Sequence, residues 1–189
     1  MFKSQDIHCL VLAAGSARRY GSAKLLHRLD DGRSILQHTL GTYTQLFDQV
    51  TVICNDNLRL IDQAIAAQAL VKVNPLSHVG MSESIKLGIS SIAPKIACLI
   101  VLADMPYVTS DSISRICQLV RANNMVQALV DAQPGNPVAI GADFLPELMQ
   151  LQGDVGAKAI LQKYPLQVVN IELSDNGLVH DIDTLDDLR

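Results

Sequence analysis

The sequence predicts an α/β fold of three layers, with a mainly parallel, mixed sheet between two layers of helices. Three observations carry this. Short apolar runs, such as Val50 to Cys54 and Met125 to Val130, alternate with stretches whose apolar residues recur at helical spacing. The run from Ile96 to Ala103 is the most apolar of the chain, as a central strand buried on both faces requires. Turn-forming clusters such as Asp31-Gly32, Asn55-Asp56-Asn57 and Asn74-Pro75 punctuate the alternation. The chain of 189 residues reads as one domain, 1–189. A domain of this size can bury about 70% of its extended surface.

Cys9 to Ala13 is a buried strand that empties into a loop of small residues, Ala14 to Ala17. Leu25 to Asp31 leads to a helix capped by Ser34, with Ile35, Leu36, Thr39, Leu40, Tyr43 and Phe47 on its inner stripe. Val50 to Cys54 is a second strand. Asn57 caps a helix striped by Leu58, Ile61, Ala64, Ile65 and Ala69, and Leu70 to Val73 is a short strand. Gly80 to Ile92 becomes helical, with Ser82 as its expected cap and Ile85, Ile89 and Ile92 apolar. After the central strand, Thr109 or Ser110 caps a helix whose inner side is Ile113, Ile116, Cys117 and Val120. Met125 to Val130 and Pro134 to Ile140 are strands. Ala142 to Leu151 reads as a short helix, and Gly153 to Lys163 as a helix capped by Asp154. Leu166 to Leu173 is a strand and Asp175-Asn176-Gly177 a turn. Leu178-Val179 is the return, and Thr184 caps a last short helix.

In such a sheet, ligands sit outside the carboxyl ends of the strands, where the loop at Ala14 falls. Small residues let the backbone approach a ligand closely. Backbone N–H groups and the cations Arg18, Arg19 and Lys24 then offer donors to phosphate oxygens. The stretch therefore reads as a strand-end loop that grips a polyphosphate, against the plainer reading of a tight connection with solvated arginines. It is not a P-loop, because five residues separate Gly15 from Gly21 and Lys24 comes three residues later. Ala17 stands where the dinucleotide fingerprint has its second glycine.

Asp104 follows directly on the central strand, where an unpaired buried carboxylate is costly. It either turns the loop or is a hard oxygen ligand for Mg²⁺ on a rigid strand end. Asp181 and Asp183 share one face if that segment is extended, or belong to a solvated acidic tail. A net charge of −4 argues against a general nucleic-acid binder, while five of the fifteen cations lie between Arg18 and Arg33. Cys9, Cys54, Cys98 and Cys117 lack zinc-ligand spacing and read as buried reduced thiols. Met1 to Asp6 is polar, and the apolar run after it is too short for a secretory signal or a membrane span. The chain reads as cytoplasmic.

Leu12, Ala13, Ala14, Gly15, Arg19 and Lys24 match the signature of nucleotidyltransferases with a GT-A-like fold, Leu-Ala-Ala/Gly-Gly-x-Gly-x-Arg-Met with a lysine beyond. Ala17 replaces the usual glycine and Tyr20 the usual methionine. Similar pieces follow in order: Gly80-Met-Ser-Glu-Ser-Ile, Leu102-Ala-Asp-Met-Pro106, Gly135-Asn-Pro-Val138, Gly153-Asp-Val-Gly-Ala157 and Asp181-Ile-Asp-Thr-Leu-Asp-Asp-Leu188. Over nearly its whole length the chain resembles the MobA-like/MocA-like NTP transferase family, the group of molybdenum cofactor cytidylyltransferases and guanylyltransferases.

The resemblance implies a Rossmann-like nucleotide-diphospho-sugar transferase fold. It implies a transfer, dependent on Mg²⁺ or Mn²⁺, of a nucleoside monophosphate from its triphosphate to a phosphorylated small-molecule acceptor such as molybdopterin, with release of pyrophosphate. By it, Arg19, Lys24 and Asp104 are catalytic, and Leu12, Ala13, Ala14, Gly15, Arg18, Ser82 and Ser84 touch the nucleotide. Arg18 assists there or is solvated. Asp104 and Asp183 hold the metal with Asp181 in reserve, and Asn136 and Lys158 face the acceptor. Ala14 is the residue usual in the cytidylyltransferases, which favours CTP over GTP. Asn136 stands where they usually have histidine, and Lys158 where the family often has arginine. The rival expectations are a guanylyltransferase, a transferase for a sugar or alcohol phosphate, and a non-catalytic nucleotide-binding regulator. No nucleic acid or membrane partner is expected.

Overall fold

A computed structural model describes residues 6–15, 24–91 and 97–188. Strand β1 (Ile7–Ala13) is buried along its whole length. A 3₁₀ turn (Lys24–Leu26) leads to helix α1 (Ile35–Leu46), then β2 (Val50–Cys54), α2 (Leu58–Ala66) and β3 (Leu70–Val73). Helix α3 (Met81–Ser90) precedes β4 (Ala97–Leu102), α4 (Ser110–Leu119), β5 (Met125–Val130) and β6 (Gln133–Gly141). The short helices α5 (Leu145–Leu148) and α6 (Lys158–Lys163) lead to β7 (Val168–Glu172). Two 3₁₀ turns, Asn176–Val179 and Leu185–Asp187, finish the described chain. No helix among the described residues is long and apolar enough to cross a membrane.

The seven strands form one sheet in the order β3-β2-β1-β4-β6-β5-β7. β1 pairs in parallel with β2 and β4, and β2 with β3. β5 pairs in parallel with β7, while β6 runs antiparallel to β4 and β5. Alternation along β1 divides the core. Cys9, Val11 and Ala13 face a cluster with Ile35, Leu40 and Tyr43 of α1, Leu60 of α2 and Ile113 of α4. Leu10 and Leu12 face a second cluster with Ile85 of α3, Leu148 of α5 and Leu161 of α6. This is the three-layer Rossmann-like arrangement expected. Each fully buried leucine or isoleucine stabilises it by about 1.5–3 kcal/mol. All four cysteines are buried and free, and burial pushes the Cys98 and Cys117 thiols up to about 12.

Local signals fixed several helix starts. Ser34 accepts the Gln37 N–H while the Gln37 side chain accepts the Ser34 N–H, a reciprocal capping box. Asn57 and Thr109 cap α2 and α4. Three expectations are corrected. Ser82 does not cap α3: Gly80 is the capping residue, the helix begins at Met81, and Ser82 lies inside its first turn. Asp154 does not cap a helix of its own, since α6 starts only at Lys158; it reaches across to accept the Met81 N–H at 3.2 Å. Leu178-Val179 forms no returning strand. Asp175 accepts the Gly177 N–H and winds residues Asn176–Val179 into a 3₁₀ turn.

That turn places the C-terminal segment. A Cβ on Gly177 would overlap the Tyr107 carbonyl oxygen, so only glycine lets the turn lie against the loop after β4. On the other side, a Cβ on Gly135 would stand 2.8 Å from the Leu178 carbonyl oxygen, which gives the Gly135-Asn-Pro motif a packing role. Asp175 also accepts the Thr109 N–H at 3.0 Å and the Thr109 hydroxyl at 2.8 Å. Burial alone would raise its pKa, but the donors from Thr109, Ser112 and Gly177 outweigh burial and hold the carboxyl below the usual aspartate range.

A depressed pKa gives stability that is present above the unfolded value near 3.9 and is lost as pH falls through the folded value. Asp175→Asn is therefore expected to cost about 1–2 kcal/mol at neutral pH. In urea unfolding, its deficit against the wild type should shrink as pH falls from about 4 towards 2. A deficit that stays constant would mean that packing, not the carboxylate's donors, anchors the turn.

Candidate active site

Three loops converge at the carboxyl ends of β1, β2 and β4. Beyond β1, Ala14 is buried and Gly15 exposed. The ladder continues past β4 through an Ala103 N–H bond to the Leu12 carbonyl, 3.2 Å. The Thr39 hydroxyl of α1 reaches the Ala103 carbonyl at 2.9 Å and fixes the backbone just before Asp104. The Asp104 carbonyl in turn accepts the Ile182 N–H at 3.0 Å. One backbone hydrogen bond thus ties the loop after β4 to the C-terminal acidic segment, 78 residues on in sequence.

The result is a cluster of Asp104, Asp181 and Asp183, whose carboxylate oxygens lie within 4.8 Å of one another. The Asp187 carboxylate steadies the segment by accepting the N–H groups of Asp183 and Thr184 at 3.0 and 2.7 Å, and the Thr184 hydroxyl at 2.9 Å. This reverses the expected roles, in which Thr184 was the cap. Lys24 completes the cluster. Its Nζ donates to Asp104 Oδ2 at 2.8 Å and to Asp183 Oδ1 at 3.0 Å, with the lysine side chain only 11% exposed. Burial lowers the lysine pKa, but attraction to Asp104 and the hydrogen bonds to Asp104 and Asp183 outweigh it and leave the ammonium above its ordinary range.

These groups line a cavity of about 910 Å³ with Leu12, Ala13, Ala14 and Gly15. Asn55, Asn57, His78, Gly80, Met81 and Ser84 line it as well. Ser84 is held there by the buried Asn74 side chain, whose amide donates to its hydroxyl at 3.0 Å. Gly80 has φ +143°, and a Cβ on it would overlap the Gly153 backbone, so the start of α3 and the 153–154 segment close one side of the cavity. Asn55 and Asn57 escaped the sequence reading as site residues, although their position directly after β2, beside β1, was the available signal.

The structure brings together Leu12, Ala13, Ala14, Gly15, Lys24, Ser84, Asp104, Asp181 and Asp183. It does not bring in three others. Ser82 is fully buried off the cavity wall, and its N–H donates to the Gly153 carbonyl at 3.3 Å. Asn136 is half-buried in β6 and Lys158 is exposed at the start of α6, and neither lines the cavity. Arg18 and Arg19 lie outside the described residues.

The donor set fits a hard divalent cation. Three carboxylates against one ammonium leave an excess of negative charge among the described residues, and every ligand offered is an oxygen. A lysine ammonium seated between two of them is itself a stand-in for a cation at that place.

Similar proteins share this framework. A structure of Rv0371c from Mycobacterium tuberculosis superposes with a TM-score of 0.82 at 24% identity, covering 96% of this chain and 95% of that one. Rv0371c was also solved in complex with manganese, with a TM-score of 0.77 at 22% identity. A nucleotidyl transferase from Methanothermobacter superposes at 0.82 with 20% identity, covering 96% and 93%. In sequence, nicotine blue oxidoreductase of Paenarthrobacter nicotinovorans is 26% identical over 97% of this chain and 96% of its own length. The bifunctional protein GlmU of a Psychrobacter species is 28% identical over 90% of this chain. The chain spans about a third of the length of the GlmU proteins it matches, from 29% to 38%. Residues 9–168 match the MobA-like NTP transferase domain, and the chain belongs to that family.

Proposed function

We propose that this chain transfers a nucleoside monophosphate, CMP from CTP in the first instance, to a phosphorylated small-molecule acceptor such as molybdopterin, and releases pyrophosphate. The observation that carries the reading is the single cavity in which the Ala13–Gly15 backbone, Lys24 and three carboxylates meet. A phosphate oxygen of the acceptor attacks the α-phosphorus. The bond from that phosphorus to the bridging oxygen breaks, and pyrophosphate leaves with the electron pair. The acceptor phosphate is already ionised, so no protein base is needed, and catalysis is positioning plus charge stabilisation.

Lys24 and Arg19 would neutralise the β- and γ-phosphates, and Arg18 would assist or be solvated. Asp104 and Asp183, with Asp181 in reach, would hold Mg²⁺ or Mn²⁺, which when bound neutralises phosphate charge and draws donor and acceptor phosphates together. The backbone from Leu12 to Gly15 would meet the base, with Ser84 of the same cavity lining as a further contact and Ser82, in the first turn of α3, supporting it. The Ala14 methyl, on the cavity wall, would favour a pyrimidine over the larger guanine. The acceptor would approach from the metal end, with Asn136 and Lys158 the proposed outer contacts. Buried reduced thiols support a cytoplasmic setting.

One observation favours a second reading. A relative that matches nearly the whole of this chain is named as an oxidoreductase, which favours chemistry other than group transfer on this fold. Thermal melts with Mg²⁺ and CTP, GTP, ATP or UTP in parallel, and with a reduced nicotinamide dinucleotide, separate the two. A ligand at 100 times its Kd stabilises by about 2.7 kcal/mol. The expected result is a Mg²⁺-dependent shift with CTP. A shift with GTP alone would make the guanylyl reading first, and a shift with the dinucleotide alone would make the chain a redox enzyme.

Two variants test the roles once an acceptor turns over. Asp104→Asn is expected to keep the fold and lower kcat by about 10²–10³-fold at saturating Mg²⁺; near-normal kcat would remove Asp104 from the metal site. Lys24→Ala should lower kcat and kcat/KM by similar factors, about 10²-fold. A rise in KM alone would make Lys24 a residue that binds ground and transition states equally.

A further inference from the structure

The Lys24 ammonium and a divalent cation ask for the same oxygens. Nζ lies 2.8 Å from Asp104 Oδ2 and 3.0 Å from Asp183 Oδ1, between two of the three carboxylates that would ligate the metal. Mg²⁺ sits at about 2.1 Å from its oxygen ligands, and a second cation a few ångströms away is repelled by it. Both cannot hold that place at full strength. Lys24 also lines the cavity that contains the Ala13–Gly15 backbone, so an anion seated there lies within the sweep of its four-carbon stem.

We propose that Lys24 is an internal substitute cation, which neutralises Asp104 and Asp183 in the free protein and yields its place to the metal only when a triphosphate draws the ammonium away. The inference rests on the nucleotidyl-transfer reading and adds an order to it: metal and triphosphate enter together, and the metal alone binds weakly. The lysine does two things in succession. It first keeps like charges from driving the strand-end loop and the C-terminal segment apart. It then becomes the phosphate donor at the moment the metal takes over the carboxylates. A permanent structural ion pair would do the first and not the second.

The test is Mn²⁺ binding to the full chain, followed by the loss of the free-ion signal in electron paramagnetic resonance. It compares the wild type, Lys24→Met, Lys24→Gln and Lys24→Arg, each first checked by its thermal melt. With Mn²⁺ alone, Lys24→Met and Lys24→Gln are expected to bind about tenfold more tightly than the wild type, the weight of one charge-assisted hydrogen bond. Lys24→Arg, which keeps the cation, should stay near the wild type. Asp104→Asn should weaken Mn²⁺ binding in both backgrounds. If Lys24→Met and Lys24→Gln bind Mn²⁺ no better than the wild type, while the wild type with CTP holds Mn²⁺ through Asp104, the substitute-cation role is wrong and the transfer reading stands. If no variant holds Mn²⁺, with or without CTP, the metal site itself falls and the inference falls with it.

Discussion

Three carboxylates that each bring an oxygen within 4.8 Å of the others repel one another, and a neighbouring cation and a rigid frame offset that repulsion. Lys24 supplies the charge. The frame is built from small backbone devices. The Ile182 N–H bond to the Asp104 carbonyl sets the distance between the two acidic segments. Gly177 lets the C-terminal turn touch the Tyr107 carbonyl, and Asp187 grips the backbone of Asp183 and Thr184. The first two contacts join residues far apart in sequence, and the third is local.

The elements that could be read from the sequence are those whose cause is local. Strand β2, strand β5 and the caps Ser34, Asn57 and Thr109 arise from apolar runs and side chains that bond within three residues of themselves. The elements that could not be read arise at a distance. Asp154 looks like a cap for the helix after it, yet the glycine pair at 80 and 153 brings it to a different helix, so its carboxylate serves Met81. The β5–β6 hairpin closes through Asp131 and Ala132, both at positive φ (49° and 64°), although alanine carries no turn signal. The paired strands on either side impose that conformation on it.

The same division runs through the site. The strand-end loop, Lys24 and Asp104 stand where topology alone puts ligand-facing groups, at the ends of adjacent parallel strands. Asp181 and Asp183 stand beyond residue 168, past the stretch that matches the family domain, and reach the site only through the 3₁₀ turn at Asn176–Val179. Asn136 and Lys158 lie in motifs whose glycines have packing neighbours of their own. Gly135 approaches Leu178, and Gly153 touches Gly80. Motif pieces kept for packing and motif pieces kept for chemistry look alike until their neighbours are known.

A fold shared with a protein named as a nucleotidyl transferase and with one named as an oxidoreductase does not choose a reaction; the charges in its cavity bear on that choice. Hydride transfer gains nothing from three converging carboxylates. A triphosphate brings several negative charges of its own, and adding it to an acidic cluster is favourable only if cations come with it. Lys24, which lines the cavity, is the one described cation bonded to Asp104, and the remaining negative charge is of the kind that suits a divalent ion. An acidic cluster with a lysine already seated in it is therefore the arrangement expected of a protein that handles metal-bound phosphate, and a poor arrangement for a protein that does not.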